Sequence, residues 1–571
     1  MVRRGVNMSD RVLVIGLDSA PLAWVERWVA EGRMPNLGRL MANGAVGILR
    51  TVNPPLSPAA WSSFATGMLP AKHGVCYHVY RRPGSYDVAP TNSRRRMGKT
   101  LWQIISEGGG KVGVINVPET YPPVPVNGFL LSGMDTPSDD ADWAYPPELK
   151  AELERAVGGY RVFGRRSKEN LSRAIAGMHE TIPMRCRTAE YLWGKYQPDF
   201  MILVFMETDI IQHKCWKYLD PAHPEYTPEG ARRYGAVIPD IYTRIDQELK
   251  PLLEQVDERT TVIIMSDHGA GPLYKYLHLN SWLVSHGLMH FKRDAVTRVK
   301  RALFQLGFTP ETMLNLTATL RVGIVDQVTS LIRTKMWRQG RTTLAQRLFL
   351  SWADVDWPRT QAYALGGSTT GFYINLKGRE PQGCVEPGDE YERVREEIMH
   401  RLMQWRDDTT GWPVVERVYR REELHQGPYA DRMPDVIFTA RDEAYIGFGW
   451  HEFGNKALMR SSPLFNANHR MDGMVALYGP AIRRGVRLET HSIVDLAPTI
   501  LYLLGYPIPA DMDGRVMVQA FLPEFLAARQ VVTAVSAPAA GDDGRQMPDD
   551  GVYSTREEGE VLERLKDLGY A

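Results

Sequence analysis

Short unbroken apolar runs, each closed by a polar residue or by Gly or Pro, alternate along this chain with longer stretches whose apolar residues recur every three or four positions. The clearest runs are residues 12–18 (VLVIGLD), 111–118 (KVGVINVP), 200–207 (FMILVFME), 261–267 (TVIIMSD), 434–440 (PDVIFTA) and 473–479 (GMVALYG). Strands buried on both faces read as continuous apolar runs, whereas the intervening period near 3.6 marks helices. The helical stretches at 141–157, 169–195 and 234–255 lie between runs. This alternation predicts an α/β doubly wound fold, with a mostly parallel central sheet and helices on both faces.

The texture changes twice. Residues 290–352 hold no strand-like run, and their amphipathic segments carry eleven Lys or Arg against three acids, with Arg298, Lys300, Arg301, Arg333, Lys335, Arg338 and Arg341 the densest part. We expect a basic helical insertion or cap there, dividing one core into residues 1–289 and 353–530. Such a segment is either a solvated face or a surface that attracts an anionic substrate or an anionic membrane. From residue 531 a linker composition, AVSAPAAGDDGRQMPDDG, precedes a stretch with helical spacing, so a terminal helix docking on the core is expected over the end of 531–571.

Composition adds mostly exclusions. At 571 residues, 44% hydrophobic and 24% charged, the chain is globular and larger than one ordinary core. A net charge of +1 indicates no nucleic-acid partner, and leaves the oligomeric state open. The four cysteines are scattered without a C-x-x-C pair, which suggests neither a disulfide framework nor a thiolate zinc site. The apolar run after the basic N-terminus is too short for a secretory core, and no run reaches the roughly 20 residues needed to span a bilayer. A cytoplasmic location is the expectation.

Candidate chemistry collects where strands end. Asp18 closes the first run, Asp209 follows the third and Asp267 closes the fourth; in open α/β sheets ligands bind at the carboxyl ends of strands. A strand-end Asp often merely caps the next helix. Two of these three bring a histidine, however: His268 directly after Asp267, and His213 four residues after Asp209, one helical turn away on the same face. Carboxylate oxygen with imidazole nitrogen suits zinc or manganese better than calcium. His469, ahead of the 473–479 run, is a weaker candidate taken alone.

The segments GLDSAPLAW through FATGMLPAKHG, VFMETDIIQHKCW, SDHGAGPLYKYLHLNSWL and NHRMDGMVALYGPAI resemble the successive motifs of the type I phosphodiesterase and nucleotide pyrophosphatase branch of the alkaline phosphatase superfamily. Shorter similarities occur in YINLKGREPQG, in SIVDLAPTILYLLGYPIPADMDGR and in LKDLGY. The resemblance implies a small phosphorylated substrate and two divalent metal ions, zinc first with manganese the alternative. It assigns Asp18, Asp267 and His268 to one ion, and Asp209, His213 and His469 to the other. It also makes Ser57 the nucleophile, nine residues before Thr66 of the Thr66-Gly67 pair; Ser62 and Ser63 fall outside that spacing. A serine at a helix start is commonly a cap, and no histidine neighbours Ser57 in sequence, so activation by a metal ion is expected.

Two departures narrow the expectation. Where well-known nucleotide pyrophosphatases have an Asn three residues after the nucleophile, this chain has Ala60, so Lys275, Asn375 and Arg81 are weak substitutes for binding a phosphoryl oxygen. Ala59 and Trp61 stand where the sulfatase branch has Pro and Arg, which argues against formylglycine chemistry. The leading expectation is a phosphoester hydrolase working through a phosphoseryl intermediate. The alternatives are a phosphomutase or phosphotransferase of the same superfamily, with 290–352 as a lid against water, and a non-catalytic scaffold on a decayed enzyme.

Overall fold

The computed structural model describes residues 10–163, 171–309, 312, 348–449, 453, 455–461, 465–534 and 551–567. Its centre is a ten-stranded sheet whose main path runs, in spatial order, Val486–Arg487, Ala45–Arg50, Asp472–Tyr478, Thr260–Met265, Arg11–Leu17, Phe200–Phe205, Val112–Val117, Gly128–Ser132 and Ala144–Tyr145. The five strands from Thr260–Met265 to Gly128–Ser132 are mutually parallel. Asp472–Tyr478 runs antiparallel to both neighbours, and Ala144–Tyr145 antiparallel to Gly128–Ser132.

Each apolar run feeds both faces of the sheet, because successive side chains point to opposite sides. Val12 and Val14 join one core with Trp61, Trp102 and Ile500, whereas Leu13, Ile15 and Leu17 join the other with Trp28, Leu192 and Ile245. Helices Ser57–Thr66, Leu101–Glu107 and Leu496–Leu504 cover the first face. Helices Leu22–Ala30, Leu171–Tyr196 and Val237–Glu254 cover the second. The doubly wound, mostly parallel expectation therefore holds.

Three local expectations are corrected. The run at 434–440 is not part of the central sheet. Its strand Val436–Ala440 lies in a separate four-stranded sheet, antiparallel to Gly371–Ile374 and Val415–Arg420. A buried strand of a satellite sheet has the same unbroken apolar signature as a central one, so periodicity could not separate them. The run at 473–479 is central but antiparallel. The helix expected over 141–157 is confined to Leu149–Val157, because Pro146 and Pro147 exclude the preceding residues from a helix and Ala144–Tyr145 pairs as a strand.

Of the segment 290–352, helix Ala295–Gln305 is described, capped by Asp294, whose side chain accepts from the Thr297 N–H. Arg333, Lys335, Arg338 and Arg341 lie outside the described residues. No described helix is long and apolar enough to cross a membrane. Helix Thr555–Asp567 buries Val561, Leu562 and Leu565, and its Arg564 guanidinium donates to the carbonyls of Met134, Thr136 and Pro137.

Candidate metal centre

The first strand, Arg11–Leu17, lies between Phe200–Phe205 and Thr260–Met265, so the carboxyl ends of all three meet on one rim. Asp18 leaves the first strand and Asp267 follows the third by two residues; both are fully buried. Ser19 turns in the left-handed region (φ 63°), which aims its N–H at Asp267 Oδ1, 3.1 Å away. A non-glycine residue there stores strain of about 1–3 kcal/mol, a feature that clusters at functional sites. Thr208 donates to the Asp18 carbonyl at 2.6 Å and Gln212 to the Ser19 carbonyl at 2.9 Å, tying helix Glu207–Leu219 to the same strand end.

That helix places Asp209 and His213 one turn apart, with His213 Nε2 3.2 Å from Asp209 Oδ1. His469 arrives by a different route. Strand Ala467–Arg470 pairs antiparallel with Gly269–Pro272, the residues directly after His268, and sets His469 opposite Ala270. His469 Nε2 thereby lies 3.0 Å from His213 Nε2 and 3.4 Å from Asp209 Oδ1. The rings of His268 and His469 stack at 3.8 Å. Asp18, Asp267 and His268 form a second group, with His268 Nε2 3.2 Å from Asp267 Oδ2 and 3.9 Å from Asp18 Oδ1. His268 also falls within reach of Asp209 and His469, so it stands between the two groups.

The protonation of the histidines follows from their outer contacts. Nδ1 faces a backbone carbonyl in all three: Ala467 for His213 at 2.8 Å, Pro55 for His469 at 2.8 Å and Gly269 for His268 at 3.1 Å. A carbonyl only accepts, so each Nδ1 carries a proton and each ring turns its Nε2 inward; against the lowering effect of burial, Asp209 raises His213 above its ordinary value, whereas burial holds His268 and His469 below theirs. This is the outer-shell pattern that orients metal-binding histidines. Two ring nitrogens 3.0 Å apart beside a carboxylate oxygen need positive charge between them, supplied by a proton on one Nε2 or by a metal ion. Tetrahedral zinc, with bonds of about 2.0 Å, separates its ligand atoms by roughly 3.3 Å, close to the spacings found here.

Electrostatics point the same way. Burial, then the charges of Asp267 and Asp209, hold the Asp18 carboxyl well above its ordinary range. Burial, with Asp209 adding, pushes Asp267 up to about 8. Asp209 is held well below its ordinary value, because His213 and His469 outweigh the opposing effect of burial. Oδ1 of Asp18 and Oδ2 of Asp267 are buried without a hydrogen-bond partner. Buried carboxylates in this state are paired or coordinate metals, so the donor set fits a divalent cation.

Ser57 opens helix Ser57–Thr66 as its first residue; the N-cap is Leu56, and no side chain caps the helix. The capping role open to a serine here is not taken up. Its Oγ instead lies 3.2 Å from His268 Nε2, a histidine 211 positions away in the sequence. The same helix sends Trp61 to donate its indole N–H to Asp18 Oδ2 at 2.8 Å. Gly16 permits this approach, since a Cβ there would lie 2.7 Å from the Trp61 ring. Trp61, Ser19 and Thr208 carry no spacing signal in the sequence and were not legible as site residues.

The three weaker candidates are engaged elsewhere. Lys275 Nζ pairs with Asp407 at 2.6 Å and also binds Thr409. Asn375 donates to the carbonyls of Trp357, Thr360 and Gln382 and accepts from Tyr86, which uses its whole amide in holding loops together. Arg81 pairs with the buried Glu380. A narrow cavity beside His213 and His469 is walled by Leu273, Tyr276, Ile446, Phe448 and Phe465, with Ser368 and Asn468 its polar members.

The sequence model of a family described as "Type I phosphodiesterase / nucleotide pyrophosphatase" matches residues 12–462. No curated protein matches the chain. Among solved structures, phosphonoacetate hydrolase from Sinorhizobium meliloti 1021 in complex with phosphonoformate is similar at 18% identity and a TM-score of 0.52, over 88% of this chain and 97% of that one. The same hydrolase with phosphonoacetate gives 16% identity and a TM-score of 0.49 over the same shares. At these identities the likeness concerns the fold.

Proposed function

The chain belongs to the type I phosphodiesterase / nucleotide pyrophosphatase family of metal-dependent phosphoester hydrolases, and on that premise we propose that it cleaves small phosphoesters through Ser57 at a two-metal site. Asp18, Asp267 and His268 would hold one divalent ion, and Asp209, His213 and His469 the other. Zinc suits the mixed oxygen and nitrogen donors best, and manganese is accepted by the same set. The observation that carries this reading is the convergence of three histidine Nε2 atoms, each ring fixed by an Nδ1–H bond to a carbonyl, on three fully buried carboxyl groups.

When bound, the two cations supply Lewis-acid charge that makes a hydroxyl or water nucleophilic near neutral pH and offsets charge on phosphoryl oxygens. Ser57 Oγ attacks phosphorus, forming an Oγ–P bond as the bond to the leaving oxygen breaks. The serine proton ends on the departing alcohol. Water then attacks the phosphoserine, the Oγ–P bond breaks and Ser57 is regenerated. Ser57 sits at the start of a ten-residue helix; Pro58 has no N–H and the Ala60 N–H bonds the Leu56 carbonyl, so the Ser57 and Ala59 amides are the first-turn donors beside the developing negative charge. With Ala60 buried in that helix and Lys275, Asn375 and Arg81 engaged elsewhere, these amides are the chain's own contribution to oxyanion binding. His268 orients by its bond to Gly269; with a cation at its Nε2 it is a ligand and not the base for Ser57.

The four cysteines are free, which fits a reducing, cytoplasmic setting. The test is a Ser57→Ala variant assayed against phosphomonoester and phosphodiester panels, with elemental analysis alongside. We expect two metal ions per chain in both proteins, and a loss of at least 1,000-fold in turnover in the variant. Mass spectrometry of acid-quenched parent enzyme should show phosphate on Ser57. Undiminished turnover in the variant would refute the assignment, and isomerised product without free phosphate or alcohol would identify a mutase.

A further inference from the structure

Helix Ala295–Gln305 is amphipathic in an unusual way, because its apolar stripe is wider than the part the core covers. Thr297, Lys300 and Phe304 face inward. Phe304 packs near Phe453, Lys300 pairs with the buried Asp354 at 2.9 Å, and Lys456 donates to the Gln305 carbonyl. The helix is thus fixed in orientation from three sides. Beside this buried edge runs a second stripe, Val296, Val299, Leu303 and the C-cap residue Leu306, at spacings of three, four and three that align them on one face. Leu306 is 82% exposed and Val296 63%, and the four make up a large share of the bulky apolar side chains exposed among the described residues. A contiguous exposed apolar stripe marks an interaction surface, unlike single exposed residues.

The charges around the stripe select the partner. No Asp or Glu occurs from Ala295 to Leu306, whereas Arg298 and Arg301 lie on the arc opposite the stripe and Lys292 and Arg293 precede the helix. All four are exposed. An apolar face with cations on the opposite, polar face is the pattern of a helix lying in the interfacial plane of an anionic bilayer, with its apolar residues among the upper acyl chains. A lipid surface of negative charge suits both the apolar stripe and the cations carried on the rest of the exposed face.

We propose that the Ala295–Leu306 face is a docking surface for anionic lipid membranes, holding the enzyme peripherally at the bilayer. The full-length, metal-loaded protein is to be sedimented with phosphatidylcholine vesicles that contain or lack 30% phosphatidylglycerol. The expected result is binding to the anionic vesicles at low salt, at least tenfold weaker binding to neutral ones, and release by 0.5 M salt. A Leu303→Glu, Leu306→Glu double variant should lose at least tenfold in vesicle binding while hydrolysing a soluble chromogenic phosphoester at the parent rate. An Arg298→Gln, Arg301→Gln variant should retain its fold and lose the anionic preference. The proposal is overturned if the parent ignores anionic vesicles or if the Glu variant binds as the parent does. It is equally overturned if light scattering shows a dimer that the Glu variant dissolves, since the stripe would then be covered by a second copy. Strong hydrogen-exchange protection of this helix face in lipid-free protein, unchanged by vesicles, would show that the chain covers it itself.

Discussion

Trp61 and Asp267 show how much of the candidate centre rests on single side chains. The Trp61 indole N–H is a hydrogen-bond donor to Asp18 Oδ2 in a fully buried setting. A Trp61→Phe substitution keeps most of the packing but removes that donor, which should weaken metal binding by about 10- to 100-fold, as for other outer partners of metal ligands; competition with a chromogenic chelator reads this directly. Asp267 predicts a pH effect of defined sign. Its carboxyl is pushed up to about 8 in the folded, metal-free protein, against an ordinary 3.8 that applies once the chain unfolds. Between those values the folded state binds more protons than the unfolded state, so this group makes the metal-free protein less stable as pH rises from about 4 to 8. Metal binding requires the ionised carboxylate and so strengthens over the same range. Thermal melts at pH 5.5, 7 and 8.5 should show the stabilisation by added zinc, relative to chelator-treated protein, growing with pH. A zinc effect that shrinks with pH would contradict this account.

At the level of elements, the site depends on one close approach and one strand pairing. The first strand and helix Ser57–Thr66 meet at Gly16, where a Cβ would lie 2.7 Å from the Trp61 ring and 3.0 Å from a Val204 methyl. Gly16→Ala should cost about 1–3 kcal/mol through overpacking. It should also lower turnover, because the same helix carries Ser57; urea unfolding and steady-state rates measure the two effects separately. Much of this level was open to sequence reasoning. The runs at 12–18, 200–207 and 261–267 became adjacent parallel strands, and Asp209 and His213 fell one turn apart on a helix. The antiparallel pairing of Ala467–Arg470 with Gly269–Pro272 was not, since it joins residues about 200 positions apart and leaves no local periodic trace. That pairing is what brings His469 to the other candidate ligands.

Across the whole molecule, the C-terminal helix acts as a clamp on the loop that follows strand Gly128–Ser132. Arg564 donates to the carbonyls of Met134, Thr136 and Pro137, its guanidinium lies 3.8 Å from the Phe163 ring centre, and Arg82 pairs with Glu558. Tyr553 donates to the Asp135 carbonyl and stacks on Tyr121. Removing residues 551–571 exposes the surface under Val561, Leu562 and Leu565, a loss on the order of 4–9 kcal/mol from apolar burial. The truncated protein should unfold at lower urea concentration yet still bind two metal ions per chain, because the clamp lies on the Gly128–Ser132 side of the sheet and not at the ligand cluster.

The amino-acid pattern by itself determined the α/β class, the strands that form the rim and the carboxylates that close them, because burial on both faces and helical periodicity are local properties of the chain. It also carried the family motifs, and with them the expected ligands and Ser57. The tertiary structure alone decided which strands share the central sheet, that Ser57 faces His268 and leaves its helix uncapped, and that Lys275, Asn375 and Arg81 serve other partners. Those outcomes depend on which distant groups meet in a crowded interior, where each buried polar atom must find a partner, and no short window of sequence contains that information.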